Sequence, residues 1–311
     1  MNCYPGESPR PFLTPLNPPR VTILEFSLAE ILFRIISPTE SSYICSPDEY
    51  AQFLTVPEGH SPDASYEAHL TDTRLPADSS APPCFWDNGI WRTRVNSEQF
   101  IEIEILDPGA GGWCKAARLS PDFSSGELWV PDAACCSVQI RPLYHPQDRA
   151  VIIGRLCHMG GVMMHSSCVM TEGKVMLFSG MSGAGKTTLA RLWREHGATI
   201  LNDERNLLHP RNGLVRAGAS PWHGEENQVN PATGPLAAIF FLKQALMNQL
   251  RPMPLAESLG RMMTAAFVPV YIPDGPARTL DACAAILEKV PAYELSFTPD
   301  VRALDLCRTV I

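Results

Sequence analysis

Apolar positions recur at two periods along the chain. At 101–105, Ile101, Ile103 and Ile105 alternate with Glu102 and Glu104, the period-two signature of a strand with one buried face. Further β-like pieces cover 91–95, 113–119 and 127–130, with turns at Asp107-Pro108-Gly109 and Ser124-Ser125-Gly126 between them. Together they predict a small antiparallel sheet. A helical spacing governs 21–36, where Leu28, Ile31, Leu32 and Ile35 fall on one face and Ser37-Pro38 ends the run. Residues 57–84 are polar and proline-bearing, and read as loop. Between 142 and 161, Ile152, Ile153, Leu156 and Cys157 predict a helix closed by Gly160-Gly161.

Beyond residue 160 strands and helices alternate. Apolar runs at 162–170 and 175–178 flank Thr171-Glu172-Gly173-Lys174 and predict a β-hairpin. A turn centred on Glu172-Gly173 sets a register in which His165 faces Gly180. Leu189, Leu192 and Trp193 then fall at helical spacing before Gly197, a C-terminal cap. A strand at 198–201 follows. Residues 214–230 look loop-rich and carry Arg216, Trp222, His223, Glu225 and Glu226, a mixture able to grip a base or an acceptor. A strand at 236–242, helices at 255–267 and 279–290, a strand at 293–297 and a last helix capped by Asp300 complete the pattern.

The chemistry concentrates where the second hairpin strand meets its helix. Gly180-Met181-Ser182-Gly183-Ala184-Gly185-Lys186-Thr187 fits GxxxxGK[ST] residue for residue. Glycines let successive main-chain N–H groups close around a polyphosphate, the lysine meets its outer oxygens and the threonine hydroxyl reaches a Mg²⁺. The helix opens at the loop, with its positive end toward the phosphates. A β-α-β unit would carry Asn202-Asp203-Glu204 to the carboxyl edge of the neighbouring strand, where a metal ligand or a base is needed.

Bulk composition narrows the classes. The 311 residues allow two domains, and a 45% hydrophobic fraction supports an ordinary core. A net charge of −8 argues against nucleic-acid and anionic-membrane partners, and the apolar runs are too short to span a bilayer. The first residues show no secretion leader. Ten scattered cysteines without metal spacing, with Cys157, Cys168 and Cys283 in apolar runs, predict buried thiols in a reduced, cytoplasmic protein. Prolines crowd residues 1–20, an extended arm.

Met164-His165-Ser166-Ser167-Cys168, the glycine loop and Asn202-Asp203-Glu204 resemble the HPr kinase/phosphorylase group, which shares a nucleotide fold with phosphoenolpyruvate carboxykinase. His165 lies 21 positions before Lys186 and Asp203 lies 17 after it, intervals similar to the family's. Residues 220–224 and 235–242 are similar to stretches of HPr-kinase-like proteins that accompany peptide-modifying systems, so the likeness covers roughly 142–297. It implies an α/β P-loop nucleotide-binding domain of the HPr kinase / phosphoenolpyruvate carboxykinase type over 141–311, after a smaller α+β domain over 21–140.

The resemblance also implies ATP and Mg²⁺, with residues 180–188 as the cradle: Gly180, Met181, Ser182, Gly183, Ala184, Gly185, Lys186, Thr187 and Thr188. Lys186 would bind the β- and γ-phosphates, Thr187 would ligate the metal, and Asp203 would take the proton of an acceptor serine. His165 would stand near the transferred phosphate. Glu204 replaces the family's usual second metal-binding aspartate, keeping the charge and adding a methylene. The implied partner is a protein or peptide bearing a serine, and a homo-oligomer stays open. So do a small-molecule kinase, for free serine for instance, and an ATP-binding regulatory module without transfer activity.

Overall fold

The computed structural model describes residues 22–38, 43–44, 46–55, 59–71, 83–107, 112–131, 139–140, 142–143, 145–181, 183–224 and 229–311. The proline-rich arm lies outside them, as do Ser182 and residues 225–228. The chain is a mixed α/β protein with two large sheets.

The first half supplies β1 (Ile23–Leu28), β2 (Ile31–Ile36), β3 (Tyr43–Ile44), β4 (Leu54–Thr55), β5 (Ala64–Thr71), β6 (Trp86–Asp87), β7 (Trp91–Val95), β8 (Ile101–Asp107), β9 (Gly112–Leu119), β10 (Ser125–Pro131) and β11 (Gln139–Ile140). Nine of these form one sheet in the order β4-β1-β2-β5-β10-β9-β8-β7-β6. β7 to β10 pair antiparallel as the alternation predicts, with Ile101, Ile103 and Ile105 buried. Glu104 on the other face pairs with Arg92 and Arg94, and Glu102 with Arg118, so neither carboxylate is free for chemistry.

Of the run read as a helix over 21–36, residues 23–36 form the β1–β2 hairpin instead. Leu24, Phe26, Leu28, Ile31, Phe33 and Ile35 are all buried, a period-two set on each arm of a two-residue turn at Ala29 and Glu30. Both turn residues have positive φ, 51° and 68°, as a tight hairpin requires. The turn is held from a distance: the Ala29 carbonyl accepts from His209 Nε2 at 2.6 Å, and Glu30 pairs with Arg216. Within 57–84, read as loop, β5 runs mid-sheet, parallel to both β2 and β10. Ala64, Tyr66 and Ala68 face the core, and the Tyr66 hydroxyl donates to the Phe123 carbonyl.

After α1 (Gln147–His158) come β12 (Val162–Thr171), β13 (Lys174–Ser179), α2 (Lys186–Glu195), β14 (Thr199–Asn202), β15 (Arg205–Arg211), β16 (Leu214–Ala219), β17 (Thr233–Gln244), β18 (Gln249–Pro252), α3 (Leu255–Ala265), α4 (Gly275–Lys289), β19 (Ala292–Phe297) and α5 (Val301–Arg308). The order is β13-β12-β15-β16-β17-β19-β18, with β14 also on β12 and β17 also on β13. β12 and β17 are long enough to serve two partners on one side. β12 pairs β15 through 162–165 and β14 through 168–170, across an irregularity at Cys168/Val169. β13, β17 and β19 run parallel. β16 overturns the loop assignment at the start of 214–230; it pairs antiparallel with β15 across Asn212-Gly213, both at positive φ.

Two apolar clusters pack this half. Leu189, Ala190 and Trp193 of α2 meet Phe178, Phe240, Leu295 and Leu304 in one. The other is continuous with the first sheet, joining Phe26 and Phe33 to Leu156, Met164, Leu207 and Ile286. Cys157, Cys168, Cys283 and Cys307 are buried free thiols.

Candidate nucleotide and acceptor site

The β12–β13 hairpin has the register its turn dictates: Thr171 opposes Lys174 and Ser166 opposes Ser179. His165 is therefore the β12 residue level with the first glycine of the loop, and its carbonyl accepts from Ser179 Oγ at 3.3 Å.

The loop leaves the end of β13 and turns directly into α2. Gly185 has φ 99°, and a Cβ there would meet the Phe297 ring at 2.8 Å, so both backbone and packing demand glycine. Among the described residues no side chain caps the start of α2, so its first N–H groups are suited to an anion. Gly183 offers its carbonyl to Gln244 Nε2 at 2.7 Å, and the Ala184 amide donates to the Met181 carbonyl at 3.0 Å. Met181 is exposed, Thr187 half-buried and Thr188 exposed. Lys186 is buried and donates Nζ to the Gly180 carbonyl at 2.9 Å. Burial pulls its pKa below the ordinary value, with the Glu204 carboxylate opposing. The lysine is thus folded back over its own loop, within electrostatic reach of the acid turn.

That turn sits one strand further away than the β-α-β pattern suggests. β14 runs parallel to β13, but β12 lies between them. Asp203 and Glu204 join β14 to β15 on the far side of Ser166 and Ser167. The Ser166 amide donates to the Glu204 carbonyl at 3.0 Å, and Ser167 Oγ to the Asp203 carbonyl at 3.2 Å. His165 pairs with Arg205 in the register. One strand therefore has the glycine loop at one edge and both acids at the other, with the imidazole between.

A buried amide shapes the acid turn. Asn202 Oδ1 accepts from the backbone of Glu204 at 2.7 Å and of Arg205 at 3.1 Å, while its Nδ2 donates to the carbonyls of Ser220 and Trp222, each at 3.0 Å. This ties the turn to residues 220–224. Gly224 in that segment donates its N–H to Asp203 Oδ1 at 3.1 Å. Asn206 Nδ2 adds a bond to the Ser166 carbonyl at 2.7 Å. The sequence named Asn202 only as part of the Asn202-Asp203-Glu204 motif, with no role, and Asn206 not at all, although an asparagine closing a strand ahead of two acids is a recognisable turn signal.

The electrostatics are specific. Burial, then the Lys186 charge, hold His165 below its ordinary pKa, so the ring is neutral at pH 7. Asp203 is buried, whereas Glu204 is half-buried and paired with Arg205 at 3.1 Å. Of the loop-rich candidates, Trp222 is buried and close to the acids, His223 is exposed, and Arg216 reaches away to Glu30. Ser182, Glu225 and Glu226 lie outside the described residues.

The donors suit hard ligands. The Thr187 hydroxyl and the carboxylates of Asp203 and Glu204 are the oxygen types that Mg²⁺ takes from protein when phosphates and water complete its shell. The glycine loop, the uncapped α2 terminus and Lys186 suit a polyphosphate.

No protein-family model matches the chain, and no curated protein matches it. Among solved structures it has a weak neighbour, the Hpr(Ser) kinase/phosphatase from Coxiella burnetii, with 12% identity and a TM-score of 0.28 over 48% of this chain and 87% of that one. Among the described residues no helix is long and apolar enough to cross a membrane.

Proposed function

We propose that the protein is an ATP-dependent phosphotransferase that moves the γ-phosphate of Mg-ATP to a serine hydroxyl on a protein or peptide. The observation that carries this reading is the placement of Lys186 and the Asp203-Glu204 turn on opposite edges of β12, within electrostatic reach of each other. Phosphoryl transfer asks for positioning and charge neutralisation more than for covalent help.

When bound, Mg-ATP supplies the phosphoryl group. Lys186 moves from the Gly180 carbonyl to the β- and γ-oxygens, and Thr187 with Glu204 would hold the metal. Asp203, oriented by Gly224, receives the serine proton as the hydroxyl oxygen forms its bond to phosphorus and the bond to the ADP oxygen breaks. His165, uncharged, donates a hydrogen bond beside the transferred group.

Asp203→Asn tests the assignment. It should retain Mg-ATP by calorimetry and lose transfer of radiolabel to serine peptides; transfer at the parental rate would remove Asp203 as the base. A second reading has one observation in its favour. Glu204, a proposed metal ligand, is already paired with Arg205, as a nucleotide-binding module without transfer activity would permit. Tight ATP retention with no label on any serine acceptor would establish that reading instead.

A further inference from the structure

The proposed transfer leaves two cations beside the acids without a task. Arg149, in the first turn of α1, sets its guanidinium 5.3 Å from the centroid of the Trp222 ring. That ring is locked from the side, since Nε1 donates to Asp148 Oδ2 at 3.1 Å and Tyr50 donates to the same oxygen at 3.1 Å. The other Asp148 oxygen accepts the Arg149 backbone amide at 2.7 Å. The carboxylate next door is thus committed to the indole, the phenol and the helix start. Among the described residues the Arg149 side chain has no hydrogen bond or ion pair, and its Nε is buried without a partner.

Arg205 is built alike. Its guanidinium lies 5.6 Å from the centroid of the Phe267 ring and, among the described residues, has one anionic partner, Glu204. Burial first, and then the Arg205 charge, pull the Arg149 pKa below its ordinary value, while Asp148, Tyr50 and Glu204 push it up. Geometry brings the two together at the acid turn: the Asn202 side chain donates to the carbonyl of Trp222, the platform of Arg149, and accepts from the backbone amide of Arg205. Trp222, the platform under Arg149, is two residues from the glycine that orients Asp203.

Holding two like charges together, one of them with a buried unpaired N–H, costs stability that an incoming anion would return. Guanidinium forks match carboxylate and phosphate oxygens in pairs, and aromatic backing fixes their planes. We propose that Arg149 and Arg205 form an oxyanion subsite for the phosphate acceptor, so that the acceptor is a serine-bearing molecule with a carboxylate or phosphate within reach of its hydroxyl. The inference rests on the phosphotransferase reading, and the subsite would choose the acceptor while Asp203 handles its proton.

The test is calorimetric titration of the full chain, first saturated with MgADP so that the glycine loop is filled, with succinate and separately with sulfate. At least one of the two should bind at a single site, and Arg149→Gln and Arg205→Gln should each weaken that binding at least tenfold. Succinate alone would mark a carboxylate-bearing acceptor, and sulfate alone a phosphorylated one. Arg149→Lys keeps the charge and the stem but lacks the fork, and should bind more weakly than the parent yet more tightly than Arg149→Gln. The proposal is overturned if neither anion binds the parent protein or if Arg149→Gln binds them as well as the parent does. Should MgADP itself not bind, the phosphotransferase reading falls, and the Arg149 dependence of anion binding still decides the subsite.

Discussion

Gly224 donates its amide hydrogen to Asp203 Oδ1 at 3.1 Å, and a Cβ at that glycine would stand 3.0 Å from both carboxylate oxygens. The carboxylate would have to yield by a few tenths of an ångström, or the segment would have to retreat. Gly224→Ala should therefore slow serine phosphorylation about tenfold or more, because small misplacements of a reacting group are costly. The melting temperature should fall by only a few degrees. Initial rates and a thermal melt on the same preparation check both halves, and an unchanged rate would show that the Asp203 position is not used.

Among the described residues Lys186 has one hydrogen-bond partner to give up, the Gly180 carbonyl, and much to gain from a triphosphate. Lys186→Met keeps the stem and deletes a charged donor, with an expected loss of about 1.5–3 kcal/mol in Mg-ATP binding, roughly 10- to 100-fold in Kd. Titration calorimetry reads this directly. A variant that binds as tightly as the parent would mean that the loop does not take phosphates.

Acid should destabilise the fold through its histidines. Burial is the first cause that holds His158, His165 and His209 below their ordinary value. Each binds fewer protons folded than unfolded in the window below about pH 6.5, so stability rises with pH through that window and is lost as pH falls. The urea midpoint at pH 5.5 should lie below that at pH 7.5. His209→Gln should flatten the slope and also loosen the Ala29 turn. A midpoint that is equal or higher at pH 5.5 would contradict the assignment.

Asn202→Ala should be the most damaging neutral change near the site. It strips partners from two amides and two carbonyls at once, the bonds to the carbonyls buried and those from the amides part-buried. A loss of about 2–4 kcal/mol is expected in urea unfolding. Asn202→Asp keeps the acceptor and sets a charge against the Ser220 and Trp222 carbonyls, so it should not rescue. Wild-type stability in either variant would refute the role given to this amide.

The parts of the fold legible in the sequence were those with local causes. Glu172 and Gly173, both at positive φ, fix the β12–β13 register that put His165 level with the loop. The isoleucines of β8 announced their strand for the same reason. The β1–β2 hairpin was hidden because its turn is Ala29-Glu30, without the residues that favour such a turn alone; His209 and Arg216 hold it from the other half of the chain. β5 escaped because two of its three core positions are alanine, which carries little hydrophobic signal. β16 was different, since Asn212-Gly213 is a strong local hairpin cue that the polar composition of the following residues obscured. At the site, the residue types of loop and acids were readable, whereas the insertion of β12 between them was not. Nothing local in 199–204 records which strand it will meet. Arg149 stayed out of view because α1 was legible by its apolar face alone.

The intervening strand has a mechanical consequence. Because β12 is bonded to β13 on one edge and to β14 and β15 on the other, the gap from phosphate cradle to acid turn equals two inter-strand steps, roughly 10 Å. Main-chain ladders set that gauge, so point replacements can retune the reagents at either jaw without altering the opening. A slip of β12 by one residue would leave that span intact and would instead exchange the side chains of its two buried faces, bringing a different residue level with the loop.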